Sequence, residues 1–275
     1  MEQTVRIGGH PAGLTATVRN DPWWLATLRI GLGLTAFIVY ASWAAFQPGH
    51  YYVDPYVSPF ASPLLFAPPP GGAGIPPAGH AWFGAWPAWW PRFLPASPSL
   101  LILVFPLAFR LTCYYFRKAY YRAYALTPPG CAVGPLPRRR YRGETGLLLF
   151  QNLHRYALYF IFVFMAVHYY DTFWAFFRDG RFGVGVGSIV LTIDALLLSL
   201  YVFGCHCFRH LIGGRLDCFS CDAFSRTRHG LWSKVSVLNE QHALFGWLSL
   251  FWVAFSDLYV RLLSMGVIRD WNTWG

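Results

Sequence analysis

The chain has 275 residues, of which 55% are hydrophobic, 19% aromatic and only 12% charged, where a soluble domain carries roughly 25% charged residues. That composition excludes an ordinary soluble domain and points to a protein dissolved in lipid. The net charge of +10 does not imply nucleic acid, because membrane proteins gather Lys and Arg on their cytoplasmic loops, and no nucleic-acid partner is expected.

Residues 1–22 are polar, with Arg6 and Arg19, and end at Pro22. They read as a short cytoplasmic arm. Trp23 and Trp24 look like interface anchors for a first span running to about Gln47. The apolar run from Trp23 to Phe46 is longer than the roughly 7–15 residues of a signal-peptide core, so it reads as a span and not a cleaved leader. Arg29 lies one or two turns inside it, either snorkelling to the surface or serving a polar pocket. Residues 48–97 are rich in Pro, Gly and aromatics and contain one basic residue, Arg92. They predict a long irregular outer loop, and His50 and His80 within it read as loop histidines.

The second span starts near Ser99, passes Cys113 and ends in CYYFRKAYYRAY, residues 113–124, where tyrosines and basic residues alternate. Arg110 falls near its middle. A charge there is costly and faces the bundle interior, as part of a site or of an ion pair with Asp194 or Asp257. The loop 125–146 holds Cys131 and then Arg138, Arg139, Arg140 and Arg142, which marks it as cytoplasmic. A third span runs from about Gly146 to Tyr170, with Gln151, Asn152, His154 and Arg155 at its inner end, followed by a short outer loop over 171–183. A fourth runs from about Val184 to Ile212 and is broken by Gly213 and Gly214. The loop 215–234 carries Arg215, Arg226, Arg228 and Lys234 and is again inside. A fifth runs from about Val235 to Met265, with Asn239 and His242 in its first turns. No internal repeat is evident.

The reading is therefore an all-α integral membrane protein, a five-helix transmembrane bundle with a long irregular outer loop, each span reaching the ~20 residues a bilayer needs. The boundaries are an arm over 1–22, a membrane domain over 23–268 including the outer loop 48–97, and a tail over 269–275. The distribution of basic residues places the amino terminus inside and the carboxyl terminus outside.

In that topology Cys113, Cys131, His154, Cys205, His206, His210 and His242 all fall in the inner half, whereas the outer half has His168 and no cysteine. At about 1.5 Å per helical residue, Cys113, His154, Cys205 and His242 share one depth. His206 and His210 are four apart and share a helix face. Two stacked b haems would need imidazole pairs at two depths, and one inner haem would leave the cysteines unexplained. A Cys₂His₂ set fits zinc or a Rieske-type [2Fe–2S] centre. A second zinc reading, Cys205 and Cys207 with Cys218 and Cys221, is disfavoured. Residues 205 and 207 point about 200° apart for as long as the helix holds, and Cys218 and Cys221 read as plain cytosolic thiols. Arg29, Arg110 and Arg155 are the candidate donors to a quinone carbonyl, a polar need in an apolar pocket. A non-redox metal transporter would need polar residues through the whole bilayer, and that path is thin.

At these residues the chain resembles a known family. LTCYYFRKAYYRA at 111–123, PPGCAV at 128–133, YRGET at 141–145, QNLHRY at 151–156, GCHCFRHLIGG at 204–214, LN-x-x-H at 238–242 and DLYVRL-x-SMGV at 257–267 are similar to the five-helix membrane anchor of actinobacterial-type succinate dehydrogenase, respiratory complex II. The likeness extends over about 100–268. It implies a flavoprotein subunit and an iron–sulfur subunit docked on the cytoplasmic face. It also implies electron transfer to a quinone (menaquinone or ubiquinone) in the bacterial plasma membrane, and allows a higher oligomer of the complex. It implies a membrane-embedded Rieske-type [2Fe–2S] cluster in place of haem b. Four of Cys113, Cys131, Cys205, His154, His206, His210 and His242 would ligate it. The dicarboxylate site would lie in a partner chain, so this chain alone would not oxidise succinate.

Overall fold

The structure is a computed structural model and describes residues 14–135, 147–214 and 216–274. The first 13 residues with Arg6, the arginines at 138, 139, 140 and 142, the YRGET stretch, Arg215 and the side chain of Gln151 lie outside the described residues. The chain divides into two compact units, residues 1–39 with 110–152 and residues 40–109 with 153–275.

The fold is all-α and membrane-embedded, with short hairpins in its connections. In chain order the helices are α1 (Trp23–Ala45), α2 (Pro98–Ile102), α3 (Val104–Thr112), α4 (Tyr114–Ala123), α5 (Leu147–Trp174), α6 (Val186–Phe203), α7 (His206–Gly213), α8 (Ala223–Glu240) and α9 (His242–Ser264). Two antiparallel ribbons, β1 (Tyr52–Val53) with β2 (Tyr56–Val57) and β3 (Phe177–Arg178) with β4 (Arg181–Phe182), turn the chain between helices. Helices α1, α6 and α9 are each long and apolar enough to cross a bilayer, and α2–α3 with α4 are so only when taken together, bent by 81° at Cys113 as in a broken span or a re-entrant loop. The 28 residues of α5 exceed the ~20 a bilayer requires. Its charged residues, Arg155 and Asp171, lie near its two ends.

Three of the expected spans are not continuous helices. The second breaks at Cys113, which takes extended angles (φ −65°, ψ 131°) and starts α4. The fourth, expected unbroken to Ile212, stops at Gly204, and Cys205 turns extended (φ −69°, ψ 142°) to start α7. The fifth, expected to begin at Val235, is preceded by helix from Ala223 and is interrupted at Gln241 between α8 and α9. The stretch 215–234 is thus largely helical, not a loop. A break inside a membrane strands backbone groups that only protein can satisfy. Asn239 does this at the fourth span, donating from Nδ2 to the Gly204 carbonyl at 2.7 Å.

In the first unit, the chain before α1 is tied to the turn after α4. Thr15 N donates to Gly134 O (3.0 Å), Gly134 N to Ala16 O (2.8 Å), and Arg19 Nη1 to the Cys131 carbonyl (2.9 Å). Tyr124, at the end of α4, donates its hydroxyl to the Gly31 carbonyl of α1 at 3.2 Å. The Arg19 guanidinium, hydrogen-bonded to Asp21, holds that carboxyl below the usual carboxylate range.

In the second unit, α6 and α9 pack most extensively on one another. The outer loop is irregular but anchored. Asp257, fully buried on α9, accepts from Arg261 Nε (2.8 Å), from the Tyr40 hydroxyl (2.6 Å) and from Ser58. Arg261, 1% exposed, also caps the carbonyls of Gly49 and Ala44. His168 and Asp194 form a second buried pair at 2.8 Å. Asp257 is thus engaged by Arg261 and Asp194 by His168; in the first unit Arg110 lies over the Phe116 ring at 5.3 Å. After α9 the chain turns at Gly266, whose φ of +71° is the left-handed conformation that helix ends favour in glycine. The tail then packs back, with Asp270 accepting from Tyr56 (2.6 Å) and Tyr259 (2.7 Å).

Candidate metal centre

Among the described residues, one group of three His, Cys, Asp or Glu side chains could hold a metal ion: His154, Cys205 and Cys207, with ligand atoms all within 4.8 Å of one another. All three belong to the second unit. The local chain explains the convergence. Because α6 ends at Gly204, Cys205 is an extended residue ahead of α7, and its sulfur accepts from the Cys207 amide at 3.3 Å. The ~200° separation that kept Cys205 and Cys207 apart holds only within a helix, and the break removes it.

His154 comes from the amino-terminal third of α5. Its Nδ1 lies 3.0 Å from the Phe109 carbonyl, so Nδ1 carries the proton and donates, and Nε2, 3.1 Å from Cys205 Sγ, is the nitrogen that could take a metal. This is the arrangement by which a backbone carbonyl orients a metal-binding imidazole. The His154 ring stacks on Phe109 at 4.3 Å, Phe109 meets Tyr201 edge-on at 5.6 Å, and Tyr201 stacks on His242 at 4.8 Å. His154, Cys205 and His242 are all buried, so the aromatic run keeps water from the thiol–imidazole pair. Cys207 also borders a cavity of about 270 Å³ lined by Leu158 and Leu211 together with Arg155, Tyr159, His210 and Arg228.

The chain matches the family described as the actinobacterial succinate dehydrogenase subunit SdhC over residues 25–266. It belongs to the actinobacterial SdhC family of succinate dehydrogenase membrane subunits. It is also similar to a chain of the Mycobacterium smegmatis Sdh1 complex solved in the apo form, at 40% identity and a TM-score of 0.81, covering 94% of each chain. No curated protein matches it. As an SdhC-family member the chain is a multi-pass membrane subunit of a succinate dehydrogenase complex.

The other residues singled out in this SdhC-family chain fall as follows. Cys113 and Cys131 belong to the first unit. Cys113 is buried and starts α4; Cys131 is exposed, 3.6 Å from Arg122 Nη2. His206 and His210 lie exposed on α7. His242 is buried on Tyr201, outside the group of three. Arg29 is exposed on α1 and Arg155 is exposed beside the cavity. Cys207 is the residue that sequence reasoning set aside. The Gly204 before Cys205 was the one local signal of a break. Cys218 and Cys221, expected as plain thiols, are joined by a disulfide.

Proposed function

We propose that this SdhC-family chain is the quinone-reducing anchor of its complex, with a Rieske-type [2Fe–2S] centre held at His154, Cys205 and Cys207. The supporting observation is the donor set itself, one tautomer-fixed imidazole and two sulfurs on a broken helix. Such a centre needs a second imidazole, and His210, which borders the same cavity as Cys207, fits that role. Haem b would use the imidazole and leave both sulfurs outside its coordination. Bound there, the centre would pass electrons one at a time, and imidazole ligation would raise its potential toward that of quinones.

The protein's part is positioning. Phe109 O holds His154 in one tautomer, the break at Gly204 aims the two sulfurs, and the ring stack excludes water. In the adjoining cavity the Arg155 guanidinium and the Tyr159 hydroxyl, beside Leu158 and Leu211, would supply donors for quinone carbonyls. Arg29 and Arg110 remain donors for a quinone site in the first unit. The basic residues of α7 and α8, Arg209, Arg226, Arg228 and Lys234, suit an inner face with an acidic partner. The flavoprotein and iron–sulfur subunits would dock on the cytoplasmic face, the side that also holds the amino terminus.

The test is an optical spectrum and low-temperature EPR of the reduced, purified complex. A Rieske-type low-average-g signal without a strong Soret band is expected. A Soret band that sharpens on reduction, with no such signal, would replace the cluster with haem.

A further inference from the structure

The Cys218–Cys221 pair lies outside the candidate metal centre. It closes the ring Cys218-Phe219-Ser220-Cys221 directly before Asp222, which caps α8 by accepting from the Ser225 amide at 2.8 Å. Cys221 is exposed and Cys218 half-buried. The ring is coupled to the site by side chains in contact. Phe219 lies on His229 (4.8 Å), and His229 stacks on Trp232 (5.7 Å). Trp232 in turn carries the Arg209 guanidinium at 4.4 Å. It also fills the space at Gly213, where an added Cβ would stand 2.2 Å from its ring. Arg228, one residue from His229, holds the last carbonyls of α7, Ile212 O at 2.7 Å and Gly214 O at 2.9 Å. The helix so gripped is the one that carries Cys207 and His210.

We propose that Cys218–Cys221 is a site of thiol–disulfide exchange with a cellular dithiol, and that its state sets the packing of α7 on α8. The proposal rests on the inner placement of this segment given above. A disulfide facing the reduced cytosol is normally transient or redox-sensing. The exchange is balanced: a dithiol reductant becomes its own disulfide, the Cys218–Cys221 bond takes two electrons and two protons, and two thiols result. An exposed sulfur is the point of attack, and here that is Cys221. Opening the ring frees Phe219 from the geometry that presses it on His229, and the grip on α7 loosens.

The experiment uses the purified complex in matched buffers of reduced or oxidised dithiothreitol. Alkylation before denaturation, read by mass spectrometry, reports the state of Cys218 and Cys221. Hydrogen exchange over 206–213 reports α7. The expected result is reversible interconversion of the two cysteines. Faster exchange in α7 on reduction should accompany it, up to roughly twentyfold, the loop-closure effect of a ring this short. The Cys218→Ser/Cys221→Ser variant should show the reduced wild-type exchange in both buffers. Three results would each overturn the proposal: two free thiols in both buffers, α7 exchange blind to the buffer, or a zinc ion lost with the double variant. The EPR signal of the proposed centre is read separately, so loss of that reading and loss of this one are distinguishable.

Discussion

Replacing Asn239 tests how the site is built. Its Nδ2 donates to Gly204 O at 2.7 Å in a buried setting, at the step where α6 gives way to α7. Asn239→Ala leaves that carbonyl without the donor and without water. An orphaned buried acceptor costs about 1–3 kcal/mol, which for a domain of this size is about 2–10 °C in melting temperature. Asn239→Asp keeps the volume but sets an oxygen against an oxygen, so it should cost at least as much. Since the break is what turns Cys205 toward His154, bound metal should fall along with stability. Thermal unfolding of the purified complex, with metal analysis of the same samples, reads both. An Asn239→Ala complex that melts within a degree of wild type and retains all its metal would refute the claim that this bond holds the break.

Arg261→Met should destabilise by about 3–5 kcal/mol, because it leaves a buried carboxylate unpaired. Adding Asp257→Asn should recover a large part of it in a thermal double-mutant cycle, and additive losses would contradict the pairing. Gly213→Ala forces a Cβ to within 2.2 Å of Trp232; a cost of about 1–3 kcal/mol should appear as faster exchange confined to α7 and α8. The backbone and hydroxyl bonds from Ser225 hold the Asp222 carboxyl below its ordinary pKa of 3.8. Its capping contribution is therefore complete above that value and lost as pH falls through the lower, folded one. Ser225 amide protection should drop in Asp222→Ala at neutral pH, with the gap from wild type closing only in strong acid.

Much of this was legible in residues 98–268. Apolar length and the placement of Arg and Lys defined the spans, and inner-half crowding of Cys and His pointed to a metal. What composition hid was where helices stop. Cys113, Cys205 and Gln241 carry no proline or strong capping signal, and a window-averaged apolar run looks continuous across them. The breaks depend on tertiary partners, Asn239 for Gly204 being one, and a linear pattern does not contain those. Treating the fourth span as unbroken put Cys205 and Cys207 on opposite faces, and with Cys207 also outside the family resemblance it was set aside. The outer loop was similarly opaque. Its anchors, Ser58 and the Gly49 carbonyl, meet Asp257 and Arg261 about 200 residues away in sequence.

The most direct test of the central claim is EPR and metal content of the Cys207→Ala complex beside His206→Ala. The account predicts that Cys207→Ala abolishes the cluster signal and its iron, while His206→Ala, which is outside the group of three, keeps both. A Cys207→Ala complex with an unchanged signal and full iron would show that the sulfur brought beside His154 and Cys205 is not a ligand.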